Sequence, residues 1–148
     1  MPSTLVHAAF SGMIAAALLG AAFDRRSLFV VVGLTAAADL DAFVGLVLTA
    51  GHRTVGHTLV LPALAALAVA VDERTGGRLR SRFGPGGVRV AWVSVFAFVV
   101  SAVGLDLFTP GGANPLWPLH DQFYMIDGKV ELSNRRGVIQ TFVDLSPD

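Results

Sequence analysis

Cysteine is absent from this 148-residue chain. That excludes disulfides and thiolate metal sites, and confines any bound metal to nitrogen and oxygen ligands, with zinc, manganese, iron and magnesium all open. Charge is scarce too: 15% of residues are Asp, Glu, Lys or Arg, against about a quarter in an ordinary soluble domain. The formal charge is zero, so no global basic field argues for a nucleic-acid partner and no acidic excess argues for disorder. Lys and Arg are missing ahead of the first apolar stretch and no small-x-small cleavage site follows it, which favours a spanning helix over a cleaved signal peptide. No internal repeat is evident, and the only biased stretch is the Gly- and Arg-rich run from Thr75 to Gly87. What the chain has in quantity is apolar residues, 53% of the total, in a length suited to one domain.

The apolar residues fall into four segments: Leu5 to Phe23, Leu28 to about Leu48 with Ser27 placed to cap it, Val55 to Val71 across Pro62, and Val88 to Phe108. The last is about 31 Å long at the helical rise, which matches a hydrocarbon core of ~30 Å. The expected architecture is an all-α membrane bundle of about four transmembrane helices over residues 1–118, with a small C-terminal β-hairpin extension over 119–148. Arg25 and Arg26 lie between the first two segments, and Arg74, Arg78, Arg80, Arg82 and Arg89 at or between the last two. In a four-span chain these connections share a side, which the positive-inside rule makes cytoplasmic. A multi-pass plasma-membrane protein is expected, with the bilayer as its main partner and homo-oligomerisation open. Trp92, Trp117 and Phe123 read as interface anchors.

The tail differs in kind. "QFYMIDGKVEL" suggests two short strands around Asp127-Gly128, a pair suited to a type I′ turn. Val138 to Leu145 offers a third strand, and the expected product is a β cap over the non-cytoplasmic face. His120 and Asp121 read as surface residues.

The same topology sends His7, Asp39, Asp41, His52, Arg53, His57 and Asp106 to that face. Ionisable groups in apolar segments are costly unless they pair, ligate a metal or meet water, so their co-location points to one composite metal site. Residues two apart on a helix diverge by about 200°, so Asp39 and Asp41 share an ion only if the helix ends near Ala38; otherwise one of them binds. Thr54, as an N-cap, would put His57 at the third helical position and leave His52 in the preceding loop, free to turn inward. Arg53 cannot ligate a metal, but its fork suits a carboxylate or a phosphate oxygen. Each residue also has a structural reading: His7 as an interfacial histidine, Asp106 as a turn cap before Thr109-Pro110, and Asp39 and Asp41 as ion-pair partners of Arg53. The assignment is His7, Asp41, His57 and Asp106 as ligands of a divalent ion, zinc first, with Asp39, Arg53 and His52 as the catalytic group.

Four elements carry a family resemblance: His7 early in the first apolar helix, "DLD" at Asp39 to Asp41, "HRTVGHT" at His52 to Thr58, and "LDLFTPGG" at Leu105 to Gly112. Together they resemble the membrane-bound metal-dependent hydrolases of the YdjM type, described as LexA-binding inner-membrane proteins. The resemblance covers about residues 1 to 118. It implies a metal-dependent hydrolase, and a more distant likeness to zinc phospholipases with His and Asp ligands implies phosphoester chemistry. Two positions depart from the family pattern: Ala38 stands where a proline is usual, and Ala102 where a histidine is usual.

Two functions follow as expectations. In one, an ion with an open position activates water against an ester or phosphoester, a membrane lipid being the natural substrate; a spare carboxylate, Asp39 or Asp41, is the general base and Arg53 clamps the developing charge. In the other, a non-catalytic membrane scaffold or regulator uses the polar cluster to tie its helices together, and Ala102 favours this version. A transporter ranks third, because polar residues at one face give no pathway across.

Overall fold

The structure, a computed structural model, describes residues 4–41, 55–109 and 112–126. Helix α1 spans Thr4–Leu18, and its buried residues His7, Ser11 and Ala15 recur every four positions. That spacing puts them on one face, which Leu19 extends. Ser11 returns its hydroxyl to the Ala8 carbonyl at 3.0 Å, so a small polar residue enters an apolar face without an orphaned donor. The carbonyl of Leu18, at the helix end, accepts from Arg89 Nε at 2.7 Å; a cation suits that end of the helix dipole.

Helix α2, Arg25–Ala36, is capped by Asp24, which accepts from the Ser27 backbone N–H at 2.7 Å. The cap is therefore Asp24 and not Ser27, which lies inside the first turn. The same hydrogen bond holds the Asp24 carboxyl below the usual carboxylate range. Past Ala36 the chain tightens into a 3-10 turn, Ala37–Leu40.

Helix α3, Val60–Thr75, is followed by α4, Arg78–Phe98. Asp72, near the end of α3, accepts from the backbone N–H groups of Arg78 and Leu79 at 3.0 Å each, so one helix caps the next across Gly76-Gly77. Inside α4, Gly84 leaves the helix with φ 71° and ψ −175°, a conformation open to glycine. Pro85 then restarts the helix where its missing N–H costs nothing. A π-helical segment, Val99–Gly104, and a final turn, Leu105–Leu107, complete this rod.

The core is Ala15, Leu19, Val31, Val93 and Ala97, with Ile14, Leu28 and Val90 packed against it, where α1, α2 and α4 meet. The small Ala15 and Ala97 let the backbones of α1 and α4 approach closely. Outward, large apolar side chains stay exposed on every helix, among them Leu5, Phe29, Leu64, Leu67 and Phe96, an arrangement that suits an apolar surrounding.

The regular elements among the described residues are helices, with no strand; 55–59 and 112–126 are turns and irregular backbone. One helical path, Arg78–Leu107, is long and apolar enough to cross a membrane. Helices α1, α2 and α3 have 15, 12 and 16 residues, fewer than the ~20 a full span needs. Of the four expected spans, one meets the length and apolarity of a full crossing among the described residues, and the second runs on past Asp41 into residues outside them. The site-bearing stretches Ala37–Leu40 and Val55–Leu59, which carry Asp39 and His57, lie outside the α-helices.

The expected β-hairpin is not seen in the described part of the tail. Tyr124 instead makes an isolated antiparallel bridge to Ala113, with backbone bonds of 2.8 and 3.0 Å. The hairpin's turn at Asp127-Gly128 and its return strand lie outside the described residues. Gly112, at φ +59°, allows this closure, since a side chain there would meet the Tyr124 carbonyl. Residues 112–126 lie across the helix ends: Ile126 N–H donates to the Leu107 carbonyl at 2.6 Å and Leu59 N–H to that of Pro115 at 2.8 Å.

Candidate metal centre

Four backbone elements end near one another. His7 is in the first turn of α1, Asp39 and Asp41 follow α2, His57 precedes α3, and Asp106 lies in the last turn of the α4 rod. Helices that run alternately up and down bring these termini to one end of the bundle, opposite the exposed arginines of the 24–26 and 76–82 connections.

The described site residues converge. One ligand atom each from His7, His57 and Asp106 lies within 4.8 Å of the others, a grouping that can hold a metal ion. His7 Nε2 is 3.5 Å from Asp106 Oδ1, and His57 Nε2 is 3.6 Å from Asp106 Oδ2. Asp39 joins them: its Oδ1 is 3.4 Å from His7 Nδ1 and 3.3 Å from His57 Nε2. The two imidazole centroids are 5.7 Å apart.

Burial makes this cluster chemically demanding. His7, His57 and Asp106 are each 1% exposed. Both ring nitrogens of His7, His57 Nε2, Asp39 Oδ2 and both carboxylate oxygens of Asp106 are buried without a hydrogen-bond partner among the described residues. A buried carboxylate with no donor costs several kcal/mol. A divalent cation among these atoms removes that cost, and an all-imidazole and carboxylate donor set matches zinc and its neighbours. The residues present fit a metal ion.

Asp41 faces elsewhere. Its Oδ2 lies 3.0 Å from His57 Nδ1 and accepts the Gly56 backbone N–H at 3.2 Å. A neutral imidazole that donates from Nδ1 keeps its Nε2 lone pair free, and that lone pair points at Asp39 and Asp106. The two aspartates of the triplet therefore flank opposite nitrogens of one ring. The 3-10 turn of Ala37–Leu40 is the break near Ala38 that lets the two carboxylates reach opposite edges of that ring.

His57 sits in a turn and not in a helix. The expected Thr54 cap lies outside the described residues, and α3 starts at Val60, where Val60 N–H donates to Thr58 Oγ1 at 3.2 Å. Polar bonds to distant residues hold the turn: Thr58 Oγ1 lies 3.1 Å from the Pro115 carbonyl and 2.6 Å from that of Trp117. Gly56 packs its backbone against Ala38, leaving no room for a Cβ. His52 and Arg53 lie outside the described residues. Gly56 and Thr58 fall inside the HRTVGHT stretch, where sequence alone assigns them no role; a lone glycine next to a histidine is the available signal of close backbone approach.

Ala102 is fully buried in the π-helical segment one turn before Asp106, so a methyl occupies that position beside the final carboxylate. His120 is exposed and pairs with Gln122 at 2.6 Å, apart from the cluster.

The model of one family, the YdjM inner membrane proteins, matches residues 1–140. The chain belongs to the YdjM inner membrane protein family. Membership agrees with the outward apolar faces and with the resemblance carried by His7, Asp39 to Asp41, His52 to Thr58 and Leu105 to Gly112. The family match extends past residue 118 and takes in most of the tail, which the motif resemblance left outside. No curated protein and no solved structure matches the chain.

Proposed function

We propose that this YdjM-family protein is a multi-pass, metal-dependent hydrolase of an ester or phosphoester, with a membrane lipid as substrate. The observation that carries this reading is the set of buried, unpartnered donor atoms on His7, His57 and Asp106. Those residues hold the ion, zinc by preference, and Asp41 fixes the tautomer of His57. When bound, the ion supplies Lewis acidity, polarising the scissile group and acidifying water. Asp39 is the general base. Its side chain keeps 16% exposure where those of its neighbours keep 1–2%, so it stands at the rim, and its carboxylate takes the proton. Arg53 serves as the clamp on developing negative charge. The shorter helices reach the bilayer faces with the help of their flanking turns, and the arginine-bearing end is cytoplasmic.

The test is hydrolysis by the detergent-purified, zinc-loaded full chain, presented with a carboxylic ester, a phosphomonoester and a phosphodiester lipid in mixed micelles. Asp39→Asn is expected to lower turnover about 100-fold or more, as loss of a general base does, with metal retained. Failure of all three substrates with fully loaded protein contradicts the proposal. A second reading draws on the near-complete burial of His7, His57 and Asp106: a structural ion tying four elements together in a scaffold. Loaded, inert protein whose thermal stability rises with metal favours it.

A further inference from the structure

A cleft of about 840 Å³ runs between α2, α3 and α4, away from the metal centre. Its walls are apolar along most of their length, through Leu34, Leu61, Val69, Val90 and Phe98. The hydroxyl of Ser94 in the wall is turned to the Val90 carbonyl at 2.8 Å. The charged lining residues, Asp24 and Arg26, both lie at one mouth, beside Ser27, Leu79 and Phe83. One end is polar and the remainder is greasy, which is the profile of an amphiphile.

The charge at that end is net positive, because six arginines, Arg25, Arg26, Arg74, Arg78, Arg80 and Arg82, face three carboxylates, Asp24, Asp72 and Glu73. Those carboxylates stay ionised but accept from the Ser27 N–H, from the N–H groups of Arg78 and Leu79 and from Trp92 Nε1 at 2.9 Å. Arg26 is exposed, as are Arg25, Arg78, Arg80 and Arg82 around it. The cleft parallels α4, the helix of membrane-spanning length, so its apolar stretch lies at the depth of lipid tails and its mouth at headgroup level.

We propose that this cleft is a binding site for an anionic phospholipid, with the phosphate on Arg26 and one acyl chain along α2, α3 and α4. A guanidinium fork suits a phosphate diester, and basic residues at the membrane surface concentrate anionic lipid. The inference rests on the membrane location of the family and is independent of the hydrolase reading.

Native mass spectrometry of the detergent-purified full chain, after incubation with phosphatidylglycerol, phosphatidylcholine or glycerol 3-phosphate, tests it. Wild type is expected to keep a phosphatidylglycerol adduct in preference to phosphatidylcholine. Arg26→Ala lowers its occupancy about tenfold, the scale of one charge-assisted contact. Ala91→Phe, which fills the cleft without changing charge, removes the adduct; if that variant fails to fold, Ala65→Leu from the opposite wall replaces it. Metal stoichiometry, unchanged in these variants, separates this site from the His/Asp cluster. The proposal is overturned by equal retention of both lipids with no effect of Arg26→Ala, by displacement of the adduct by glycerol 3-phosphate, or by a second copy of the chain in place of lipid.

Discussion

Asp41 Oδ2 lies 3.0 Å from Nδ1 of His57, on the opposite edge of the ring from Asp39 Oδ1, 3.3 Å from Nε2. One imidazole is thus held from behind by one carboxylate and met in front by another. The two aspartates of a single triplet thus occupy different positions: Asp41 lies behind the ring, while Asp39 stands with His7 and Asp106 on its other side. In the proposed reading Asp41 orients the imidazole and Asp39 acts at the ion.

That difference predicts a graded response to mutation. Asp41→Asn should weaken metal binding about 10–100-fold, the usual effect of losing an orienting partner. His57→Ala or Asp106→Asn should abolish stoichiometric binding. Competition against a chromogenic chelator measures both, and equal losses in Asp41→Asn and His57→Ala would refute the division of roles.

Gly56 is the positioning residue to test. A methyl there overlaps the Ala38 carbonyl, so Gly56→Ala must push the His57 turn away from the Asp39 to Asp41 segment. Destabilisation of roughly 1–3 kcal/mol is expected from such overpacking, together with weaker metal affinity. Thermal unfolding and metal titration of the same preparation read both effects; unchanged metal affinity would show that the turn relaxes without moving the histidine.

Thr58 fastens the 112–126 segment to the start of α3 through the Pro115 and Trp117 carbonyls. Thr58→Val removes the hydroxyl and should cost about 1–2 kcal/mol. Limited proteolysis should then cut within 112–126 faster than in wild type. An unaltered cleavage rate argues that the backbone bond from Leu59 to Pro115 suffices.

Asp24 gives a pH dependence at the other end of the bundle. Its folded-state pKa is lowered, chiefly by the Ser27 N–H. The cap's contribution is therefore fully present above the unfolded-state pKa and lost as pH falls through the lower folded value. The difference in melting temperature between wild type and Asp24→Ala should be largest at neutral pH and shrink under acid. A constant difference across that range would mean the carboxylate charge is not what caps α2.

The site was more legible in the sequence than the fold. Few ionisable groups occur in this apolar chain, so His7, Asp39, Asp41, His57 and Asp106 stood out, and the alternation of arginine-bearing connections sent them to one end. Their roles were not legible. Which aspartate meets Nε2 of His57 depends on a 3-10 turn at Ala37–Leu40 and on the close approach of Gly56 to Ala38, contacts between residues far apart in sequence. The start of the third helix was hidden for a related reason. Val55 reads as its first apolar residue, yet tertiary bonds from Thr58 and Leu59 hold that backbone in a turn until Val60. In the tail, the bridge from Tyr124 to Ala113, reached through the positive φ of Gly112, has no local signal in the sequence, and the hairpin's return strand lies outside the described residues.

The central claim is that His7, His57 and Asp106, with Asp39 beside them, hold one divalent ion at the end of the bundle opposite the arginines. Metal analysis of the detergent-purified full chain, combined with X-ray absorption at the zinc edge, tests it most directly. The account predicts about one ion per chain in an oxygen and nitrogen shell with imidazole scattering, lost in His57→Ala. Wild-type protein that stays empty under excess zinc and manganese, or a His57→Ala variant that binds as wild type does, contradicts it.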